Sequence, residues 1–279
     1  MFTPEITYHR MKRTDVNIAV DWAAMEGWNP GLHDADAFFA ADSNGFFLAK
    51  QNGTPVGCVS AVAYDDNFGF LGFYIVKKEL RNQGIGMQLS NLAIEYLGNR
   101  TIGADGVVGM LEKYTQIGLR LAHFNARYES AGKKTQLTLP DLSAVSYEEL
   151  ERYDRRHFPA QRSAFLQSWI SRPGTFGRVA LKDGSIRGYG VIRPCIRGFK
   201  IAPLFADTQE IAADLYSALS GLAEGQPVFL DIPVCNGAAL DLVQSLGMTK
   251  VFETGRIYRG GPPDLPLDNI YGITSFELG

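Results

Sequence analysis

The fold is decided by the stretch GFYIVKKELRNQGIGMQLSNLAIEYL, which covers residues 72–97. It opens with an apolar run that ends at Val76, continues through the polar segment KKELRNQGIG, and closes with apolar residues that recur at helical spacing. The stretch therefore predicts a strand, a glycine loop and an amphipathic helix. One helix face carries the apolar residues Ile85, Leu89, Leu92, Ala93, Tyr96 and Leu97.

The glycine loop RNQGIG, residues 81–86, has the form RxxGxG and the properties of an anion site. Because Gly84 and Gly86 lack a Cβ, the backbone there can approach a ligand closely. Successive N–H groups at the start of a helix point outward, where the helix dipole is positive. The loop is therefore suited to bind a pyrophosphate.

Other phosphate-binding loops do not fit this sequence. The dinucleotide fingerprint GxGxxG fails because Leu89 stands where its third glycine belongs. The segment AGKKT at residues 131–135 lacks the first glycine of a Walker loop, since Arg127 occupies that position. The catalytic motifs HExxH and GxSxG are both absent.

The residues on either side extend this stretch to one α/β unit that ends near residue 130. Three extended runs come in succession, GFFLAK, PVGCVSAVAY and FGFLGFYIV, of which the last contains the start of the stretch, and turn residues typical of hairpins separate them. Residues 110–130 predict a short helix that ends at Gly118 and a further strand. The earliest residues predict a strand at 6–13, a helix from Asp15 and a second helix at 34–41.

A domain boundary is predicted at residues 131–145, where the chain becomes small, polar and proline-containing. The second half repeats the order of the first, with helices, paired strands, a helix at 209–223, a strand and a last helix. Glycines recur at nearly constant spacing in the two halves, which indicates an internal duplication. The prediction is two domains, 1–135 and 140–279.

Composition narrows the class of protein. The chain has 27 basic and 30 acidic residues and no run of five like charges, which argues against a nucleic-acid binder led by phosphate contacts. No apolar stretch is long enough for a membrane span or an export signal, so a cytoplasmic location without membrane partners is expected. Cys58, Cys195 and Cys235 form no metal-ligand spacing with each other or with histidine, and no metal is expected.

The strand, glycine loop and helix of residues 72–97 resemble the GNAT superfamily of N-acetyltransferases. The family's acetyl-CoA motif, Q/R-xx-G-x-G/A between a central strand and a helix, is matched at residues 81–86. A later family element, Tyr followed four residues on by Gly, is matched by Tyr114 and Gly118, although Leu119 replaces the usual aromatic residue and Val107 the frequent asparagine. The resemblance covers residues 1 to about 130.

The second half resembles the same fold without the binding residues. Its strand-to-helix junction, APLFADTQEIAADL, contains no glycine, and Val243 stands at the position that matches Tyr114. The expected fold class is therefore α/β (α+β), with tandem GNAT-like mixed sheets flanked by helices and a degenerate second lobe. This lobe is not expected to bind acetyl-CoA in the family manner.

The resemblance implies an acetyltransferase that holds acetyl-CoA as co-substrate while a neutral amine attacks the thioester directly. Tyr114 is the expected proton donor to the departing thiolate, and the strand from Phe73 to Val76 is expected to part from its neighbour and bind the pantetheine arm. The acceptor is a primary amine of a small molecule or a peptide. The residues expected to bind acetyl-CoA are Ile75, Val76, Arg81, Asn82, Gln83, Gly84, Ile85, Gly86 and Met87.

The acceptor site is expected at EGWNPG, which joins the two early helices and contributes Glu26, Trp28 and Asn29. A tryptophan beside a carboxylate can surround a cationic amine, whereas a buried tryptophan at a helix end beside a solvated glutamate is the alternative. The tail residues Tyr271 and Phe276 either fold back toward the cleft or pack on the second lobe.

Two other functions stay open on the sequence alone. One is a CoA-binding or CoA-sensing protein with little catalytic activity, and the other is a Rossmann-type nucleotide-binding protein. The general base, the acceptor and the oligomeric state are not determined by any motif.

Overall fold

The computed structural model describes residues 5–279. The first half of the chain alternates helices and strands in the predicted order. Its elements are β1 (Ile6–Arg10), α1 (Arg13–Met25), α2 (Asp34–Ala41), β2 (Phe46–Gln51), β3 (Thr54–Ala63), β4 (Phe68–Val76), α3 (Ile85–Leu97), β5 (Thr101–Val107), α4 (Leu111–Thr115) and β6 (Arg120–Ala131).

The second half repeats this order from its two helices onward, without a counterpart of β1. Its elements are α5 (Tyr147–Arg155), α6 (Ser163–Ile170), β7 (Phe176–Lys182), β8 (Ser185–Pro194), β9 (Phe199–Ala206), α7 (Gln209–Ser220), β10 (Pro227–Pro233), α8 (Gly237–Ser245), β11 (Thr249–Arg259) and the tail strand β12 (Ile270–Gly272).

All of these strands join one sheet in the order β1-β2-β3-β4-β5-β11-β6-β10-β9-β8-β7, and β12 pairs with β9. The pairs β4–β5 and β9–β10 are parallel and their neighbours are antiparallel, so the sheet is mixed. Helices cover both faces. The predicted fold class, a mixed sheet flanked by helices with GNAT-like order in both halves, is confirmed.

The two halves exchange strands at the centre of the sheet. β11, from the second half, lies between β5 and β6, while β6, from the first half, lies between β11 and β10. The sheet therefore runs without interruption from one half to the other. The domains 1–135 and 140–279 stay a prediction. The two halves of the chain, called lobes below, share one continuous sheet.

Alternating residues along the strands divide the core between the two faces. In β2, Phe46 and Leu48 join the core under α1 and α2, whereas Phe47 and Ala49 join the core under α3. This alternation follows from the two-residue period of a strand. The first of these cores also includes α5 and α6, so the early helices of both lobes pack together on one face.

Candidate active site

A cleft opens where β4 and β5 part. The two strands pair from Phe68 with Thr101 to Leu71 with Ala104, and no pair follows. Beyond Leu71 the path of β4 changes, since Phe73 has a φ of 46° and the register with β3 shifts between Cys58 and Ser60. A bulge of this kind bends a strand away from its partner. The parting expected for this strand is therefore present, and it begins at Gly72.

The cleft encloses about 770 Å³ of empty space, part of it open to solvent. β4 provides one wall and β5 with α4 the other. Its lining includes Leu71, Gly72, Phe73, Tyr74, Ser90, Ala93, Ala104, Asp105, Gly106, Val107 and Tyr114, together with Trp28, Phe252, Thr254, Phe276 and Glu277 from outside these elements.

The predicted anion loop lies at the start of α3, the helix that also lines this cleft. Gly84 is the N-cap, has a φ of 86° and offers no side-chain cap. The first hydrogen bond of the helix is donated by Gln88 to the Gly84 carbonyl, at 3.1 Å. The N–H groups of Ile85, Gly86 and Met87 thus precede the helical ladder, as anion binding at a helix N-terminus requires.

Gly86 has a second reason to lack a side chain. A Cβ there would lie 2.4 Å from the hydroxyl oxygen of Tyr74, a cleft residue. This glycine therefore admits Tyr74 as well as leaving the loop backbone open.

Arg81 ties the loop to two other segments. Its Nε donates to the Val76 carbonyl at 2.9 Å, and its Nη2 donates to Glu26 Oε1 at 2.7 Å. Glu26 lies at the end of α1 and lines neither the cleft nor the groove described below. The geometry gives Glu26 a contact with the glycine loop in place of the expected acceptor-site position.

Ile75 and Val76 are buried and pair with Cys58 and Gly57 of β3. They are not among the lining residues, and the Val76 carbonyl already accepts from Arg81. The residues of β4 that line the cleft are those from Leu71 to Tyr74. Asn82, Gln83 and Met87 are exposed on the loop, where Gln83 Nε2 donates to the Glu79 carbonyl at 3.2 Å.

Tyr114, on α4, lines the cleft opposite β4. Its ring packs against Gly106, where a Cβ would lie 2.7 Å from Cε2. Burial, with a smaller effect of the neighbouring Tyr74, raises the pKa of Tyr114 to about 12. The phenol is therefore protonated at neutral pH and can act as a hydrogen-bond donor in the cleft.

The segment after α1 separates the cleft from a second groove. Trp28 lines the cleft, and its carbonyl accepts from Arg127 Nη1 at 2.6 Å. Asn29 lines the groove, but its amide is engaged by the backbone of Arg197, with hydrogen bonds of 3.0 and 2.8 Å. Trp28 thus lines the cleft, whereas the Asn29 side chain is used to join the lobes.

This second groove, here called the lobe groove, lies between the two halves and is more open than the cleft. Phe252 lines both spaces, so the groove adjoins the cleft. Its other lining residues include Gly27, Asn29, Arg127, Glu129, Ile196, Arg197, Phe229 and Val251.

Four residues of the cleft come from the second half of the chain, and among them only Phe276 was a candidate on the sequence. Phe252 and Thr254 belong to the exchanged strand β11, and Phe276 and Glu277 to the tail. For Phe276 the structure selects the alternative of folding back toward the cleft. Tyr271 instead packs in the core of the second lobe.

The equivalent gap in the second lobe is filled by the tail. β9 and β10 pair only from Phe199 to Ile201, and beyond this point β12 pairs with Leu204 and Phe205. The N–H of Ile273 donates to the Asp231 carbonyl of β10 at 2.8 Å, which closes the other side. A peptide strand therefore occupies the place between β9 and β10 that is open between β4 and β5.

The helix start in the second lobe also differs. Thr208 is the N-cap of α7, and its hydroxyl accepts from the N–H of Ile211 at 3.4 Å. A side-chain cap satisfies the groups that an anion would otherwise bind. The absence of glycine at this junction and the filled gap give the second lobe no counterpart of the first cleft.

Two further features concern residues 5–279. Within this range, none of the helices has both the length and the hydrophobicity of a membrane span. The same residues contain no group of three or more histidine, cysteine, aspartate or glutamate side chains arranged to hold a metal ion.

Comparisons of the sequence with protein families give two matches. Residues 15–121 match the profile of the acetyltransferase (GNAT) family, and residues 150–272 match that of an acetyltransferase (GNAT) domain. The chain is also 31% identical over 267 residues to the holothin acyltransferase of Pseudoalteromonas sp. (strain SANK 73390), covering 94% of this chain and 90% of that protein.

Solved structures show the same fold over the whole chain. A proposed acetyltransferase from Pyrococcus horikoshii is similar with a TM-score of 0.84 and 20% identity, covering 100% of this chain and 98% of that one. A tandem GNAT protein from the clavulanic acid biosynthesis pathway is similar with a TM-score of 0.63 and 13% identity, covering 93% and 100%.

Proposed function

The chain belongs to the GNAT family of acetyltransferases, and from that premise we propose that it moves an acetyl group from acetyl-CoA to a primary amine of a small molecule or a peptide. The family and the matched relative make it an acyltransferase. The donor, the acceptor and the direct attack in a ternary complex are the parts that we propose.

One observation carries the proposal: the parted end of β4, the middle of α3 and Tyr114 line the same cleft, and the uncapped start of α3 adjoins it where Gly86 lies against the cleft residue Tyr74. An anion site, a strand edge and a proton donor are the three features that a CoA thioester needs. In the second lobe, Thr208 caps the helix and β12 fills the gap. We therefore expect one acetyl-CoA per chain.

The residues of the first lobe would act on the donor by holding it in place. The N–H groups that start α3, from Ile85 to Met87, would bind the pyrophosphate of CoA, and Arg81 supports the loop through its hydrogen bonds to Val76 and Glu26. Backbone groups between Gly72 and Tyr74, the part of β4 that lines the cleft, would pair with the pantetheine arm and polarise the thioester carbonyl. Orientation of the two substrates supplies most of the rate.

The acceptor amine would reach the thioester from the lobe groove, past Phe252. Trp28 and Phe252 offer apolar walls near the point of attack, which suits an amine carried on an apolar body. As the carbon–nitrogen bond forms and the carbon–sulfur bond breaks, Tyr114 would give its proton to the departing thiolate. The name of the relative, a holothin acyltransferase, supports a small-molecule acceptor.

Calorimetry and thiol release test this function together. Titration with acetyl-CoA should give one site per chain, and two sites would contradict the assignment of the cleft to the first lobe. Acceptor panels of polyamines, amino acids, aminoglycosides, arylalkylamines and peptides, monitored by free thiol, should give acetylation of a member of one panel. Tight acetyl-CoA binding without transfer to any amine would instead support a CoA-sensing protein, and protection from heat by ATP or NAD alone would support a nucleotide-binding protein.

A further inference from the structure

The tail of the chain links the filled gap of the second lobe to the open cleft of the first. After β12, the segment 273–279, here called the tail loop, reaches β4. Tyr64 Oη donates to the Leu278 carbonyl at 2.9 Å, and Leu278 N–H donates to Ser275 Oγ at 2.9 Å. A Cβ at Gly72 would lie 1.9 Å from the Glu277 carbonyl oxygen, so the tail loop touches β4 where the strand bends.

Glu277 also carries a buried carboxyl group. The residue is 2% exposed and is among those that line the cleft, and its Oε1 has no hydrogen-bond partner among residues 5–279. Burial, as the largest cause, raises the pKa of this carboxyl above its ordinary value. A buried carboxyl oxygen without a hydrogen-bond partner lowers the stability of the folded chain. A substrate bound in the cleft could provide the missing partner.

Two of the three cations near Glu277 are paired with aspartates, whereas the third, Lys200, has no hydrogen-bond partner for its Nζ among residues 5–279. Arg193 Nη2 pairs with Asp34 at 2.9 Å, and Arg127 Nε pairs with Asp231 at 2.6 Å. Lys200 Nζ lies 3.6 Å from the same Asp231. The three cations lower the pKa of Glu277, whereas burial and Asp34 raise it. Glu277 is thus held near cations without being bound in an ion pair.

The other carboxylate of the cleft is not available in the same way. Asp105 accepts from Asn125 at 2.8 Å, from Thr254 at 3.2 Å and from Arg256 at 2.7 Å. Its oxygens are fully engaged, and its charge is balanced by Arg256. Glu26 is paired with Arg81 outside the cleft. Glu277 therefore differs from both.

We propose that Glu277 is the general base of the reaction and accepts the proton from the attacking amine. This inference rests on the proposed function. In the step, the amine nitrogen forms a bond to the acetyl carbon and passes one proton to the Glu277 carboxylate, while the carbon–sulfur bond breaks and the thiolate takes the proton of Tyr114. Return of a proton from Glu277 to Tyr114 through water restores both groups.

The surroundings suit this step. The cleft is lined, beside Glu277, by the aromatic residues Trp28, Phe252 and Phe276. The amine would therefore bind in a mostly apolar space. A carboxylate with a raised pKa is a better base than a solvated one, since the driving force for proton transfer increases with its pKa. Because only the ionised form accepts a proton, kcat/KM should rise with pH until Glu277 is ionised.

A titration that does not depend on turnover tests the assignment first. The protein labelled with ¹³C at glutamate Cδ is followed by NMR between pH 4 and 10, and Glu277→Gln identifies the resonance of Glu277. We expect this carboxyl to titrate at a higher pH than the exposed glutamates and to shift when 2-phenylethylamine and CoA are added. The proposal would be overturned if the Glu277 carboxyl did not titrate in this range, or if its resonance did not shift on addition of the amine.

Kinetics then separate a chemical role from a structural one. For the best acceptor of the panels, Glu277→Gln should lower kcat about 100-fold, within the usual range for a general base, and should remove the acidic limb of the kcat/KM profile. Glu277→Asp should keep that limb. Asp268→Asn removes an exposed carboxylate from the same tail, outside the cleft, and should leave the profile unchanged.

The outcomes distinguish this inference from the function on which it rests. If the wild-type chain acetylates an amine and Glu277→Gln retains both kcat and the acidic limb, Glu277 is not the base and the acyltransferase assignment stands. If acetyl-CoA binds and Glu277 titrates and responds to the amine, but no amine is acetylated, the site is supported and the acceptor class is wrong. A uniform loss of rate at every pH would give Glu277 a packing role and overturn the proposal.

Discussion

At the scale of single residues, close contacts explain why small or polar side chains stand where they do. Gly72 makes room for the Glu277 carbonyl, and Gly86 makes room for the Tyr74 hydroxyl. Both positions adjoin the cleft between β4 and β5. A glycine in this part of the chain is therefore required by packing as much as by ligand approach.

The Tyr114 hydroxyl should act as an acid over a wide range of pH. Because burial raises its pKa to about 12, it stays protonated up to about pH 10. Tyr114→Phe should reduce kcat by roughly 10- to 100-fold and leave acetyl-CoA affinity unchanged in calorimetry. Tyr128→Phe, in a half-buried position of β6, is the matched control. Equal kcat values for Tyr114→Phe and the wild type would refute the acid role.

The His157 imidazole should make the protein less stable in mild acid. It is 2% exposed, its Nδ1 donates to the Tyr153 carbonyl at 2.9 Å, and its ring stacks on Phe205 at 4.7 Å. Burial lowers its pKa to about 4. The unfolded chain, with a histidine pKa of about 6.5, therefore binds a proton that the folded chain does not as the pH falls from about 6.5 to 4.

The free energy of unfolding should decrease across this range by at most about 3 kcal/mol for His157, at about 1.4 kcal/mol per pH unit. His123, whose pKa is also lowered to about 4 by burial and by Arg256, adds in the same direction. Urea unfolding at pH 7, 5.5 and 4.5 measures the slope. His157→Gln should be less stable at pH 7 but show a shallower slope, and an unchanged slope would contradict this cause.

At the scale of elements, the same strand–loop–helix unit occurs twice with opposite outcomes. In the first lobe Gly84 leaves the start of α3 open, and β4 and β5 enclose a cleft. In the second, Thr208 caps α7 and β12 fills the gap between β9 and β10. The tail segment that closes one lobe also carries Glu277 to the other.

The Asn236 side chain should hold the tail, residues 267–279, in place. Its Oδ1 accepts from Ala239 N–H at 3.0 Å to cap α8, and its amide lies within 3.0–3.2 Å of the carbonyls of Leu267, Asp268 and Ile270. Asn236→Ala should cost about 1 kcal/mol for the lost cap and more for the loosened tail. Hydrogen exchange should accelerate at residues 267–279, and acyl transfer should fall.

A matched variant isolates the effect of the tail. Thr208→Ala removes a helix cap from α7, which belongs to the same lobe, and the hydroxyl that is removed accepts from Ile211 N–H rather than from the tail. It should lower the melting temperature and leave hydrogen exchange at residues 267–279 and the transfer rate unchanged. Equal losses of activity in the two variants would show that general destabilisation, not the tail, is responsible.

At the scale of the whole molecule, exchange of β6 and β11 joins the lobes into one sheet. A fragment 1–135 would lack β11, the neighbour of β5, and a fragment 136–279 would lack β6, the neighbour of β10. Each would expose an unpaired strand edge at its centre. The two lobes should therefore unfold in one cooperative transition.

Separate expression of these fragments tests the role of the exchange. Neither fragment should give a dispersed amide NMR spectrum alone, and mixing them should restore both the spectrum and acetyl-CoA binding. A linker variant that keeps both halves in one chain, with several glycines and serines inserted after Lys134, should fold normally. A fragment 1–135 that folds and binds acetyl-CoA alone would contradict the expectation.

Local sequence was sufficient to predict the strand, the glycine loop and the helix at the candidate site. The apolar alternation of β4, the RNQGIG loop and the 3.6-residue period of α3 are adjacent in the chain, so residues 72–97 predict their own conformation. Tyr114 could be identified because its distance from Gly118 is also local. The duplication followed from the repeated order of elements, which is a property of sequence alone.

The rest of the cleft and the lobe groove depend on contacts between distant parts of the chain. Phe252 reaches the first lobe through the strand exchange, Glu277 through the path of the tail, and Asn29 is occupied by Arg197 from the other lobe. Such contacts depend on sheet order and lobe packing, which no short pattern encodes. The sequence by itself therefore determined the fold family and the glycine loop of the first lobe, and the tertiary structure decided which residues complete the cleft.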